Sequence, residues 1–251
     1  MSSKLAKAET LYRAIQSRKA IPRLTAEEDF SIAVGYEIQE ELLKLQAGQV
    51  VGLKMGMTSK AKMLQMKIDA PIFGVLTKEM LIANRAQYSL SQLIHPRIEP
   101  EIAFLTKREL SGNPSGEEAL AACESVAAAL EVIDSRYEDF SFTLADVVAD
   151  NCSAAGFVIG AWHPISVPVD NLGMVLKVNG SPVQFGSSAA LLGDPVLSLV
   201  ELVKLLAKQG KSLPAGSIVL AGAATAAVPL NIGDHVAVEV EKLGTAEIYA
   251  C

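Results

Sequence analysis

Aromatic side chains make up only 5% of this 251-residue chain, which carries one Trp, three His and three Cys. Cys123, Cys152 and Cys251 are odd in number and lack metal-ligand spacing, which argues against a disulfide framework and a thiolate metal site. His95, His163 and His235 are scattered in turn-like contexts beside Pro or Asp and read as structural. No basic cluster stands out, and the net charge of −6 argues against nucleic acid or an acidic membrane surface as partner. No apolar run approaches membrane-spanning length, and M-S-S-K-L-A-K-A-E-T has no apolar signal core. A cytoplasmic protein with reduced thiols is therefore the expectation.

What the chain has in quantity is apolar side chain, 50% of residues against 20% charged. That supports one large globular unit with an ample core. So many apolar residues with so few aromatics also suggest surface hidden in subunit contacts, and a homo-oligomer is expected.

Leu5, Ala8, Tyr12 and Ile15 recur at helical spacing and predict a first helix. Thr25-Ala26-Glu27-Glu28 reads as a capping box for a second, with Phe30, Val34, Ile38 and Leu42 as its stripe, fading at Gly48. Val51, Leu53 and Met55 then alternate with Gly52, Lys54 and Gly56, the pattern of a strand. A short helix is expected from Thr58 to Ile68, stopped by Asp69-Ala70-Pro71, and an Ala-rich helix from Glu117 to Leu130. Val178-Asn179-Gly180-Ser181 is a hairpin turn, and Asp194-Pro195 opens a helix reaching about Lys208. The last forty residues read as three strands. The expected fold is α+β: a helical N-terminal part, residues 1–75, on a β-rich body, residues 76–251, forming one continuous unit without regular βαβ alternation.

The chemistry concentrates in H-P-R-I-E-P-E-I-A-F, His95 to Phe104. On a strand, Ile98, Pro100, Ile102 and Phe104 share one face, and Arg97, Glu99 and Glu101 the other. Carboxylates at i and i+2 lie about 7 Å apart at Cα and can converge on one hard cation. Such a pair is ordinarily a solvated face; a divalent site needs a third carboxylate, which Glu131 or Asp134 in L-E-V-I-D-S-R-Y can supply. If that segment is a strand, only one of the two can join.

Lys54 stands between two glycines, which remove side-chain walls and admit a ligand or another backbone. It is either a solvated strand lysine or a cation set to meet a carboxylate or a developing oxyanion. V-V-A-D-N-C-S, Val147 to Ser153, is ordinarily a turn, although Asn151 and Ser153 offer hydrogen bonds to a small acid. Cys152 reads as packing, since no matching His arrangement accompanies it. Thr225, in A-G-A-A-T, is either a loop threonine or a pocket wall.

Taken together, G-L-K-M-G-M-T-S-K-A-K-M-L-Q-M, D-A-P-I-F-G-V-L, H-P-R-I-E-P-E-I-A-F, E-V-I-D-S-R-Y, V-V-A-D-N and I-V-L-A-G-A-A-T resemble the 4-oxalocrotonate decarboxylase and 2-hydroxypenta-2,4-dienoate hydratase group of the fumarylacetoacetate hydrolase superfamily. The resemblance covers nearly the whole chain in order. It implies a mixed β-roll or barrel-like body and a divalent ion, usually Mg²⁺ with Mn²⁺ as substitute, held by Glu99, Glu101 and Glu131. It makes Lys54 the active-site lysine, Ser153 a pocket serine and Ile72 a neighbour of the substrate, a small dicarboxylate 2-oxo acid, to which Asn151 and Thr225 are added from their own positions in the chain. Hydratases of the group carry an acidic residue in a D-Q-P-D-F-G segment where this chain has Ile72, so the resemblance leans to the decarboxylases. It further implies a complex with the hydratase of the same pathway, which degrades aromatic compounds. The alternatives are the hydratase activity itself, or a non-catalytic partner subunit.

Overall fold

The structure, a computed structural model, describes residues 3–59 and 71–251. Most of the helix expected from Thr58 to Ile68, with its stop, lies outside the described residues.

Two helices packed on each other open the chain, α1 (Ser3–Ser17) and α2 (Ile32–Gln46). Leu11, Ile38 and Leu42 close a small core with Tyr137. The cap of α2 is Ser31, whose hydroxyl accepts from Val34 N, and not Thr25. Thr25 instead gives its amide and hydroxyl to the buried Asp146 carboxylate, 3.0 and 2.6 Å away. A buried carboxylate outbids the helix end for that hydroxyl because it has no water to turn to.

The strands are β1 (Val50–Gly56), β2 (Ile72–Thr77), β3 (Leu81–Ile82), β4 (Gln87–Tyr88), β5 (Arg97–Thr106), β6 (Cys123–Ile133), β7 (Ala154–Ile159), β8 (His163–Pro164), β9 (Gly173–Val178), β10 (Ser181–Ser187), β11 (Ile218–Leu220), β12 (Val228–Pro229), β13 (His235–Val240) and β14 (Gly244–Ala250). Among the described residues three further α-helices interleave: α3 (Gly116–Ala121), α4 (Leu144–Ala149) and α5 (Pro195–Lys208). A mixed sheet in the order β2-β1-β11-β5-β6-β7-β3, with β12 on β5 and β8 on β6, forms the body of an α+β fold. A second sheet, β10-β9-β13-β14-β4, covers one face with α5. Ile98, Ile102, Phe104 and Leu130 point into the core between them. The Asn179-Gly180 hairpin joins β9 and β10 with both residues at positive φ.

The expected helix from Glu117 to Leu130 is corrected. Only Gly116–Ala121 is helical, capped by Ser115 and Glu118, and Cys123–Ile133 is a central strand. Alanine favours helix by intrinsic preference, yet Ala127, Ala128 and Ala129 are fully buried between β5 and β7. Burial on both faces with partners on both edges overrides a propensity of a few tenths of a kcal/mol, about the span between ordinary residues.

Pro100 sits inside β5, where a proline would normally break a ladder. It faces a break in pairing: β11 meets β5 at residues 103–105, β12 meets it at 97–98, and the chain between them leaves the sheet. Its carbonyl accepts from Ala224 N at 3.0 Å, in that intervening loop. No strand there requires the amide hydrogen that proline lacks.

Candidate metal centre and cavity

Cross-strand register builds the site. Glu99 lies directly opposite Glu131, Glu101 opposite Ala129, and Ala103 opposite Ala127. Directly opposite residues share a face, so the three carboxylates stand together over a floor of alanines. The next row continues through Leu220 to Lys54, which projects from the same face two strands away from β5. Small side chains at 103, 127 and 129 leave room for the lysine to reach across. Lys54 Nζ lies 3.0 Å from Glu131 Oε2 and donates to the Cys152 carbonyl at 3.1 Å.

One ligand atom each from Glu99, Glu101 and Glu131 lies within 4.8 Å of the others. Glu101 and Glu131 are fully buried and Glu99 is 8% exposed. Asp134 points elsewhere, its oxygens accepting from Ile94 N and His95 N at 2.9 and 2.8 Å. It braces the turn entering β5. Glu101 Oε2 accepts from Gly222 N at 2.8 Å, while Glu101 Oε1 and both Glu131 oxygens have no hydrogen-bond partner among the described residues. The Lys54 ammonium is the cation that Glu131 meets among the described residues.

Buried acceptors without donors are costly, and one ammonium cannot balance three carboxylates. Burial pushes Glu131 up to about 7 against the pull of Lys54, and burial with the Glu131 charge beside it raises Glu101 well above the ordinary carboxyl range. Burial also disfavours the charged form of Lys54, but Glu131 and the other carboxylates outweigh it and raise its pKa. A hard divalent cation with oxygen ligands fits this donor set.

Of the three carboxylates, Glu99 opens on a cavity of about 360 Å³. Lys54, Glu99 and Ser153 line one part, while Ile72, Val147 and Phe142 give it an apolar wall. Ser153 reaches it from a run of three residues in the left-handed region, Asn151, Cys152 and Ser153, at φ 49°, 51° and 59°. Its Oγ is buried and unpaired among the described residues. Burial pushes the Cys152 thiol up to about 12, which suits packing and not attack.

Two residues expected beside the substrate are placed elsewhere. The Asn151 amide is spent on β2, accepting from Val75 N at 2.7 Å and donating to Val75 O at 2.9 Å. It continues the sheet edge with a side chain. Thr225 Oγ1 is hydrogen-bonded to Ala226 O, its methyl lies against Gly186, and it is not in the cavity wall. Sequence reasoning also passed over Gly222, whose amide holds Glu101. With φ at +111° and room for no Cβ, which would stand 2.1 Å from Thr58 Oγ1, that position requires glycine. The positional signal was the glycine after an apolar strand; its target was invisible.

Residues 47–248 match the family described as Fumarylacetoacetate (FAA) hydrolase C-terminal. A 4-oxalocrotonate decarboxylase from Pseudomonas sp is 48% identical over 95% of this chain and 94% of its own. A 2-hydroxyhexa-2,4-dienoate hydratase from Comamonas testosteroni is 34% identical over 96% of this chain and 94% of its own. Among solved structures, 4-oxalocrotonate decarboxylase from Pseudomonas putida G7, complexed with magnesium and adipate, superposes with a TM-score of 0.95 at 38% identity, covering 99% of this chain and 97% of that one.

Proposed function

Since the chain belongs to the fumarylacetoacetate hydrolase family, we propose that it is a magnesium-dependent carboxy-lyase converting 4-oxalocrotonate (2-oxohex-3-enedioate) to 2-hydroxypenta-2,4-dienoate and CO₂ in the meta-cleavage degradation of aromatic compounds. The observation that carries this reading is the pairing of a converging carboxylate cluster with an apolar cavity wall.

Glu99, Glu101 and Glu131 would hold the ion. Magnesium, when bound, supplies a Lewis acid that draws electron density toward the 2-oxo group. In the substrate the C5–C6 bond breaks, its electron pair passes through the C3–C4 alkene to the C2 oxygen, and CO₂ departs. Lys54, kept charged by its carboxylate neighbours, stands where it stabilises that growing negative charge. The Ser153 hydroxyl, buried and unpaired among the described residues, is placed to orient the 2-oxo acid end or to pass a proton to the dienolate oxygen. Ile72, Val147 and Phe142 exclude water from the C6 end, where a poorly solvated carboxylate leaves more readily. Ile72 also offers no proton to the diene, which separates this site from a hydratase.

Purified protein with Mg²⁺ should release CO₂ from 2-oxohex-3-enedioate and accumulate the dienol, followed by ultraviolet absorbance and product identification. Rapid hydration of supplied dienol without CO₂ release would assign it to the hydratases instead. We also read the protein as a cytoplasmic homo-oligomer that docks its pathway hydratase, supported by its apolar composition and by the consecutive chemistry. A strictly monomeric mass by light scattering, alone and mixed with that hydratase, would overturn this part. No helix among the described residues is long and apolar enough to cross a membrane.

A further inference from the structure

We propose that Arg97 is the receptor for the carboxylate that the substrate keeps, C1, and that it sets affinity for 2-oxo acids; this inference rests on the decarboxylase reading above. Arg97 stands two residues before Glu99 on the same face of β5 and lines the same cavity. Its guanidinium carbon lies 4.2 Å from the ring centroid of Phe140, a cation–π contact that fixes the group's position, and Phe140 is steadied in turn by His95, ring to ring at 4.7 Å. Among the described residues the Phe140 ring is the partner of the guanidinium, and no carboxylate or other acceptor meets it.

Charge explains why such a group is needed. Three carboxylates, the Lys54 ammonium and a divalent ion together carry no net charge, so the loaded centre has no overall attraction for a dianionic substrate. Lys54 and Arg97 are the cations lining the cavity among the described residues, and Lys54 is committed to Glu131. Arg97 is uncommitted, partly solvated, and carries a fork of donors matched to a carboxylate.

The choice between the two carboxylates follows from the reaction. A cation on the leaving C6 carboxylate would stabilise the charge that must be given up, and among the described residues the wall formed by Ile72, Val147 and Phe142 offers that end no cation. Arg97 is the same-face neighbour of Glu99 on β5, which puts it beside a carboxylate of the centre that the 2-oxo acid end would approach. An interaction with C1 is made equally before and during bond breaking, so it governs KM and leaves kcat nearly untouched.

The test is titration calorimetry on Mg²⁺-loaded wild type and Arg97→Gln with two acids that do not decarboxylate, 2-oxoadipate and 2-oxohexanoate. Both acids should bind the variant about tenfold more weakly or worse, as expected for loss of a charged hydrogen-bond partner. Mg²⁺ affinity should be unchanged, and KM should rise with kcat within about threefold. Weakening confined to 2-oxoadipate would give Arg97 to the distal carboxylate, and no weakening of either would remove it from the site; both results overturn the proposal. Should Arg97→Gln not fold, Arg97→Lys keeps the charge and loses the fork, and wild-type affinity for both acids would be equally fatal. If wild type binds both acids but releases no CO₂ from the enedioate, the decarboxylase reading fails while the assignment of Arg97 is judged separately.

Discussion

Lys54 and Glu131 meet at 3.0 Å although their strands, β1 and β6, never pair, since β11 and β5 lie between them. The lysine reaches across β11 and β5, in the row of Leu220 and Ala103, to a carboxylate on β6. Its other contact, the Cys152 carbonyl, ties it to the left-handed turn that presents Ser153. One ammonium thus couples the carboxylate cluster to the pocket wall.

Lys54→Met should lower turnover by more than tenfold, a loss of at least about 1.4 kcal/mol of transition-state stabilisation. Mg²⁺ affinity should change far less, because removing the cation relieves repulsion of the metal while making Glu131 harder to ionise. Steady-state kinetics beside metal titration separates the two effects, and wild-type turnover would return Lys54 to a structural role.

Glu131→Gln should weaken Mg²⁺ binding much more than Asp134→Asn, measured by calorimetry or by the metal-induced rise in Tm. Asp134→Asn should instead lower the metal-free Tm. It loses charge-assisted acceptance from Ile94 N and His95 N, worth roughly 1–3 kcal/mol together. The reverse order would exchange the two residues' assignments.

The Glu131 carboxyl, ordinarily at 4.5, lies at about 7 in the metal-free fold. A raised folded pKa means the native state holds more protons than the unfolded chain between those values, so metal-free stability should fall as pH rises from about 4.5 to about 7. Magnesium requires the carboxylate, so its affinity should climb over the same window and its binding should release protons near pH 6. Melting curves with and without Mg²⁺, and calorimetry in buffers of different ionisation enthalpy, check both signs.

Asn151→Asp should cost stability by about 1–3 kcal/mol, because a carboxylate oxygen would replace the amide donor facing Val75 O. Denaturant unfolding measures the loss. Unchanged stability would mean that the sheet edge does not depend on that side chain.

The Glu99–Glu101 alternation was legible because a period of two is a local property of the chain. So were the Asn179-Gly180 hairpin and the cap of α5, where Asp194 accepts from Val196 N. Glu131 became identifiable through resemblance and not through pattern, because its alignment with Glu99 depends on a register between strands about thirty residues apart. The alanine run before it concealed a strand, since helix preference is intrinsic while burial between β5 and β7 is a property of the finished fold. Thr25 is not the cap of α2, and the Asn151 amide is spent on β2, for one reason. Each found a distant partner, Asp146 and Val75, that no short window of sequence contains.

The proline in β5 has a wider consequence. Joining β11 to β12 in one unbroken strand would carry the ladder past residues 99–102 and draw the Gly222 loop into the sheet, taking its amide from Glu101. Pro100 offers no donor to such a strand, so the closed arrangement would lack a bond at its centre. A seamless sheet and a carboxylate cluster braced from the side are mutually exclusive here, and the chain settles the competition with a residue on the opposite face of β5 from the carboxylates.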